Sequence, residues 1–301
     1  MNSNRIEIYS FYRFIKIKDK NSLKYKLNSL LKDLNIKGTI LIADEGINGS
    51  ISGNSYDLKI ILNFLKKILK IRKISLKINF LDYHPFNKIK VRIKREIVSL
   101  GIKKLKMDLK RVGYIHPQNW DRFTNNDDIA CIDTRNIYEI EIGSFKNSIN
   151  LETKSFREFP KKFQKLKLNK DRVIAMYCTG GIRCEKASIY LKSKGYKNIF
   201  QLEGGILNYI EHKSKSKESS NWNGDCFVFD QRVAVDKKLA KGSYLQCYGC
   251  RSPITLKDTN SEKYIRGIQC HKCYNVRSKK QKERSRMRQS QIYLSKENKN
   301  N

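Results

Sequence analysis

Residues 6–14 hold Ile6, Ile8, Tyr9, Phe11, Tyr12 and Phe14, a β-branched and aromatic run that predicts a strand. Leu23, Leu27, Leu30, Leu31 and Leu34 then recur at helical spacing and predict one apolar helix face. Residues 39–43 (Thr-Ile-Leu-Ile-Ala) form a short apolar strand, residues 44–49 read as a turn, and residues 50–52 return as a second strand. Leu58, Ile61, Leu62, Leu65, Ile68 and Leu69 restore the helical spacing, and residues 75–80 predict a further strand. Later in the chain, residues 129–133 and 173–177 are runs of buried-strand type. Ala187, Tyr190 and Leu191, at i, i+3 and i+4, mark a helix before a strand at 199–202.

The first series has the order βαββαβ, which predicts a ferredoxin-like domain over residues 1–90. A basic, loosely patterned stretch from Asn87 to Lys110 reads as a connector, and we set the connector at 91–114. The second series alternates strand and helix, so residues 115–212 predict an α/β domain with a parallel sheet. The polar run from Lys213 to Ser220 suggests a linker, set at 213–240. A small cysteine-bearing segment at 241–276 and a basic tail at 277–301 complete the division.

The formal charge of +34, from 63 Lys and Arg against 29 Asp and Glu, predicts attraction to polyanions, with nucleic acid ahead of membranes. Lys, Ile and Asn are abundant throughout, as codon drift in an AT-rich genome would produce, so local clusters say more than the total. No apolar run approaches the roughly 20 residues of a membrane helix, and residues 1–5 lack the apolar core of a signal peptide. The expectation is a cytoplasmic protein without membrane contact. In that compartment cysteines tend to be catalytic or metal-bound. There are eight, at positions 131, 178, 184, 226, 247, 250, 270 and 273.

Cys178 closes an apolar strand and opens the loop Cys178-Thr179-Gly180-Gly181-Ile182-Arg183 before a helix. Backbone N–H groups at a helix amino terminus converge on such a position, and the helix dipole adds positive potential. Both effects lower a thiol pKa and hold an anion beside the sulfur. Gly180 and Gly181 permit the tight curl, and Arg183 supplies a fixed cation. Cysteine phosphatases place five residues between Cys and Arg to wrap a phosphate, whereas four stand here. The smaller ring suits sulfur chemistry. Cys184 has two readings, a thiol that resolves a persulfide or disulfide on Cys178 or a packing residue of the first helical turn. Cys131 and Cys226 read as buried structural thiols.

Residues 115–212 resemble the rhodanese family. Its first signature is matched by residues 131–135 (Cys-Ile-Asp-Thr-Arg) with Tyr138, Glu139 and residues 142–145, and its closing one by residues 195–199 with 202–205. In that family the loop cysteine carries a persulfide, which Cys178 would carry here, with Asp133 and Arg135 as supports near the loop. The segments at 43–49, 178–186 and 225–230 together resemble the rhodanese-related tRNA uridine(34) hydroxylases, over residues 6 to 290 or so. That resemblance implies oxygen-dependent hydroxylation of the wobble uridine at C5, with molecular oxygen as co-substrate and the tRNA anticodon region as partner. No facial triad, flavin fingerprint or haem motif marks a redox cofactor.

Cys247-x2-Cys250 and Cys270-x2-Cys273, nineteen residues apart, fit a tetrahedral four-thiolate zinc site of structural type. Gly249 allows the knuckle turn and Pro253 stiffens the exit. His271 lies inside the second pair, though four Cys suffice. Residues 277–288 then hold seven cations against one acid, denser than the background and suited to phosphate contacts. Asn48 and Gly49 read as an exposed turn that offers a further RNA contact.

Three functions follow from these features. The leading one is a tRNA-modifying enzyme, an oxidoreductase of monooxygenase type with Cys178 and Arg183 as its catalytic pair. A sulfurtransferase serving a small-molecule or RNA acceptor is the second, although the extra domains and basic tail exceed its needs. A non-catalytic RNA-binding protein is the third, and the intact Cys178 and Arg183 weigh against it.

Overall fold

A computed structural model describes residues 5–102, 105 and 112–300, with residue 293 and residues 295–300 described by backbone alone. The amino-terminal unit is built on strands β1 (Ile6–Phe14), β2 (Lys37–Ala43), β3 (Gly46–Gly53), β4 (Ser75–Leu81) and β5 (Ile89–Ile93). Their order is β4-β1-β3-β2-β5, antiparallel except for the β2–β5 pair. Helices α1 (Lys20–Leu30) and α2 (Ser55–Ile68) pack on the sheet through Leu23, Leu27, Leu58, Ile61 and Leu65. Asp19 and Asn54 start them by accepting hydrogen bonds from the backbone N–H of Ser22 and Asp57, at 2.9 and 2.8 Å. The expected βαββαβ order is present, with β5 added at one edge.

Two local readings change here. The stretch from Asn87 read as a connector contains β5, and Ile97 and Leu100 beyond it are buried, so the basic residues decorate packed chain. Of the connector set at 91–114, residues 103–104 and 106–111 lie outside the described residues. Asn48 and Gly49 are not an exposed turn either. They belong to β3, where Gly49 is buried against the Phe11 ring and Asn48 Nδ2 donates to the Ile97 carbonyl at 3.1 Å.

The second unit is a five-stranded parallel sheet of β6 (Gly113–Ile115), β7 (Ile129–Asp133), β9 (Ile149–Asn150), β10 (Val173–Tyr177) and β11 (Ile199–Leu202), ordered β6-β11-β10-β7-β9. On β10, Ile174 and Met176 face one core, and Ala175 and Tyr177 face the other. Burial of both faces explains its unbroken apolar sequence. The first core includes residues of α5 (Phe159–Gln164) and α6 (Ile182–Ser193); the second includes residues of α3 (Pro117–Thr124) and α7 (Gly205–Ser216). Between β7 and β9 come α4 (Ile137–Ile140) and β8 (Gly143–Phe145).

The segment read as a linker at 213–240 is mostly packed. Only its first residues are polar chain, continuing α7 to Ser216. Strand β12 (Trp222–Gly224) pairs with β8, and β13 (Cys226–Phe227) pairs with β14 (Ala234–Val235). Trp222 is buried against Phe145, with ring centroids 5.2 Å apart, and Cys226, Val228 and Val235 join the same core. Strands β15 (Leu245–Gln246) and β16 (Pro253–Ile254) form a small hairpin in the cysteine-rich segment. The tail is largely helical, as α8 (Lys279–Asn300). Among the described residues, no helix is long and apolar enough to cross a membrane.

A buried ionic junction ties the first two units together. Lys186 of α6, 1% exposed, reaches Glu45 at 2.7 Å and Glu96 at 2.5 Å and donates to the Val98 carbonyl at 2.8 Å. Glu45 also accepts from the Ile97 N–H at 2.8 Å. Phe14 and Ala43 of the amino-terminal unit and Ile182 of α6 pack beside it with Ile97.

Candidate active site

The Cys178 loop stands at the carboxyl end of β10, outside a parallel sheet, where α/β folds hold their ligands. Residues 179–181 turn the chain, and Gly181, with φ of +96°, caps the amino terminus of α6 in the left-handed conformation that glycine favours. The Gly181 N–H donates to Cys178 Sγ at 3.1 Å. Burial opposes charge on this sulfur, which is 1% exposed. Hydrogen bonds from the Cys184 thiol and from the N–H groups of Cys184 and Arg183, together with the Arg183 charge, outweigh that penalty and bring the pKa down to about 5. Three other buried thiols, Cys131, Cys184 and Cys226, behave differently. Burial raises Cys131 and Cys184 and pushes Cys226 up to about 12, so Cys178 is set apart from them as a thiolate at neutral pH.

Arg183 is held rather than free. Its Nη1 and Nη2 donate to the two carboxylate oxygens of Glu139 at 2.6 and 2.7 Å. Burial opposes ionisation of Glu139, but the Arg183 charge and its hydrogen bonds keep the carboxyl below its ordinary pKa. Glu139 Oε2 also accepts from the Asn136 N–H at 3.0 Å, closing a capping box on α4. A second buried pair lies behind it. Arg135 donates to Asp133 from Nε and Nη2 at 3.0 and 2.6 Å, and to the Gly143 carbonyl at 2.7 Å. The hydroxyl of Thr134, between that pair, donates to the Tyr177 carbonyl at 2.9 Å and lies 3.5 Å from Cys184 Sγ. Asp133 and Arg135 thus stand directly behind the loop.

Two further contacts close the loop from outside. The start of α7 abuts it: the N–H groups of Ile206 and Leu207 donate to the carbonyls of Cys178 and Thr179, at 2.9 and 3.2 Å. A Cβ on Gly205, whose φ is +68°, would lie 2.5 Å from the Cys178 carbonyl oxygen. From the amino-terminal unit, Tyr12 OH donates to Glu185 Oε1 at 2.7 Å. That hydroxyl sits so near Gly181 that an added Cβ would meet it at 2.9 Å. Burial raises the Glu185 pKa.

In the carboxyl-terminal segment, the sulfurs of Cys247, Cys250, Cys270 and Cys273 all lie within 4.8 Å of one another. Three separations, Cys247–Cys273, Cys250–Cys270 and Cys270–Cys273, are 4.0, 3.8 and 3.9 Å. Four thiolates at about 2.3 Å around one ion stand about 3.8 Å apart in a tetrahedron, so the cluster fits a metal. His271 turns away, with Nδ1 3.6 Å from Asp258. The cationic run divides into two kinds of residue. Arg277 donates to the Ile268 carbonyl at 2.7 Å and Arg288 to that of Tyr248 at 3.1 Å, docking α8 on the cysteine segment. Lys279, Lys280, Arg284 and Arg286 remain exposed.

Residues 6–97 match the family profile of the UPF0176 acylphosphatase-like domain, and residues 117–212 match the rhodanese-like domain. Over 291 residues the chain is 46% identical to the tRNA uridine(34) hydroxylase of Pelagibacter ubique, covering 96% of this chain and 95% of that protein. The chain belongs to the tRNA uridine(34) hydroxylase family. Among solved structures, a rhodanese-related protein from Thermoplasma volcanium is 29% identical over 33% of this chain and 92% of its own, with a TM-score of 0.26. A polysulfide-sulfur transferase homodimer from Wolinella succinogenes is 23% identical over 34% of this chain and 75% of its own, with a TM-score of 0.30.

Sequence reasoning missed the partner of Arg183, the Lys186–Glu45–Glu96 junction and the Tyr12–Glu185 contact. Glu139 stood within a signature, and Lys186 and Glu45 within motif segments. Nothing in their spacing said that they would pair across 44 and 141 residues. The one available signal was a charged side chain beside an otherwise apolar run.

Because Gly205 carries both a left-handed backbone and a blocked Cβ, Gly205→Ala should destabilise the protein by at least about 1–3 kcal/mol. Gly180 has nothing within 4 Å of its Cβ position. Gly180→Ala should therefore melt at or slightly above the wild-type temperature. Thermal unfolding of the two variants checks this, and equal losses would contradict it.

Proposed function

We propose that this enzyme hydroxylates C5 of the wobble uridine of tRNA, with Cys178 as the thiolate on which the reaction depends and Arg183 as its fixed counter-charge. The observation that carries the reading is the Cys178 sulfur held in a loop at the amino terminus of α6, where the Gly181 N–H donates to it at 3.1 Å and the surrounding donors and Arg183 charge favour its thiolate. The family relationship gives that thiolate its substrate, since the Pelagibacter relative is named for tRNA uridine(34) hydroxylation. Thr179, Gly180, Gly181 and Ile182 form the surrounding loop, and Cys184, which donates toward Cys178, is the nearest thiol able to resolve an oxidised sulfur. Hydroxylation replaces a C–H bond by C–OH and withdraws two electrons from the base; the second oxygen atom of O2 leaves as water, which takes two further electrons and two protons from an external two-electron reductant. We assign the enzyme to the oxidoreductases, with molecular oxygen as the oxygen source and the anticodon region as the bound part of tRNA. Its place of action is the cytoplasm.

Cys247, Cys250, Cys270 and Cys273 would hold zinc, which would cross-link two short turns into a stable module and leave no open position for chemistry. Exposed cations of α8 then extend a basic surface from that module toward the phosphate backbone. A plain sulfurtransferase reading leaves this module and the sealed junction around Lys186 without a purpose.

Mass spectrometry of tRNA nucleosides from cells deleted for this protein should show loss of 5-hydroxyuridine derivatives. Wild type should restore them and Cys178→Ser should not; derivatives unchanged by the deletion would refute the hydroxylase assignment. Metal analysis of the purified chain should give about one zinc per molecule, falling toward zero with Cys247→Ala. A fully folded wild type without metal would rule zinc out.

A further inference from the structure

A groove of about 950 Å³ runs between the amino-terminal sheet, the turn after β13 and the cysteine segment. Its size lies toward the upper end of the roughly 300–1,000 Å³ range of ligand pockets. Five cations line it, Lys88, Lys90, Lys241, Arg251 and Arg266, and none forms an ion pair among the described residues. The one lining carboxylate, Asp230, is neutralised by Arg232 at 2.6 Å, with both side chains buried. The groove is therefore built for an anion. Its walls are also aromatic, and the phenyl ring of Phe229 is 63% exposed there.

Phe229 is presented on a rigid turn. The Val228 N–H donates to the Val233 carbonyl at 2.9 Å, and the Asp230–Arg232 pair closes the turn between them. Gln231 ties it to the amino-terminal unit, donating from its N–H to the Pro85 carbonyl at 3.2 Å and from Nε2 to Asn87 Oδ1 at 2.6 Å. One edge of this platform meets the cysteine loop. The Arg183 guanidinium lies 6.0 Å from the Phe229 ring centroid, and the Thr179 hydroxyl donates to the Phe227 carbonyl at 3.5 Å. Phe227 in turn packs edge-on against Phe229 and Tyr138, the neighbour of Glu139.

We propose that this groove holds the unpaired nucleotides of an RNA loop, and that Phe229 is the face on which the base to be modified stacks beside the Cys178 loop. The inference rests on the tRNA reading above and adds to it the residue that positions the base. An exposed aromatic ring among unpaired cations is the arrangement that recognises splayed single-stranded bases, the ring taking the base and the cations taking its phosphates. Loss of one stacked base weakens binding roughly 5- to 150-fold.

The test uses the full chain and an anticodon stem-loop RNA bearing 2-aminopurine at the wobble position, whose fluorescence is quenched on stacking. Wild type should bind and quench it, Phe229→Tyr should retain both, and Phe229→Ala should lose the quenching and bind roughly 5- to 150-fold more weakly. With intact tRNA, Phe229→Ala should raise KM more than it lowers kcat. A Phe229→Ala protein that binds and quenches like wild type would overturn the assignment, as would a polyglutamate peptide displacing the RNA at equal charge concentration. The two readings fail separately. Wild type that quenches yet leaves tRNA unmodified removes the hydroxylase reading and leaves the groove as an RNA site. Wild type that modifies tRNA while Phe229→Ala stays fully active removes only the groove assignment.

Discussion

A thiolate with almost no solvent contact is tolerable only where fixed dipoles and cations replace the water it has lost. Cys178 is placed in that condition, and much of the surrounding structure follows from it. The N–H groups at the start of α6 supply the dipoles, and Arg183 supplies the cation. Arg183 is itself buried and needs a carboxylate, which is Glu139; Glu139 needs a donor, which the Asn136 N–H provides. Asp133 and Arg135 repeat the pattern one layer back. Each of these buried charges is paired, as burial requires.

The same constraint explains why the units pack where they do. The first turns of α6 carry Glu185 and Lys186 into an interface rather than into water, and the amino-terminal unit answers with Tyr12, Glu45 and, just beyond β5, Glu96. The cysteine loop is thus sealed by a second domain, a different solution from a free-standing sulfur-transfer site that must admit a small donor. What stays open is the groove flanked by Phe229, whose ring lies 6.0 Å from the Arg183 guanidinium.

Much of this was legible in the sequence, because local chemistry and period carry it. The apolar spacing of residues 23–34 and 58–69 gave both helices of the first unit, and the Cys-Thr-Gly-Gly-Ile-Arg loop announced its own geometry. The paired C-x-x-C motifs did the same for the sulfur cluster. The segment at 213–240 was misread because its polar start masks Trp222, which is buried by residues more than 70 positions earlier. Asn48 and Gly49 looked like a turn, since a glycine that makes room for the Phe11 ring has the same letter as one that reverses the chain. Long-range charge pairing, such as Arg183 with Glu139, leaves no periodic trace at all.

Cys178 should be a thiolate at neutral pH, and its charge state can be measured without any substrate. Ultraviolet absorbance of thiolate near 240 nm, taken as wild type minus Cys178→Ser across pH, isolates this one sulfur. A folded-state pKa depressed from the ordinary cysteine value means that the signal is already complete at neutral pH and is lost as pH falls through about 5. A difference signal that first appears only as pH rises toward 9 would contradict the account.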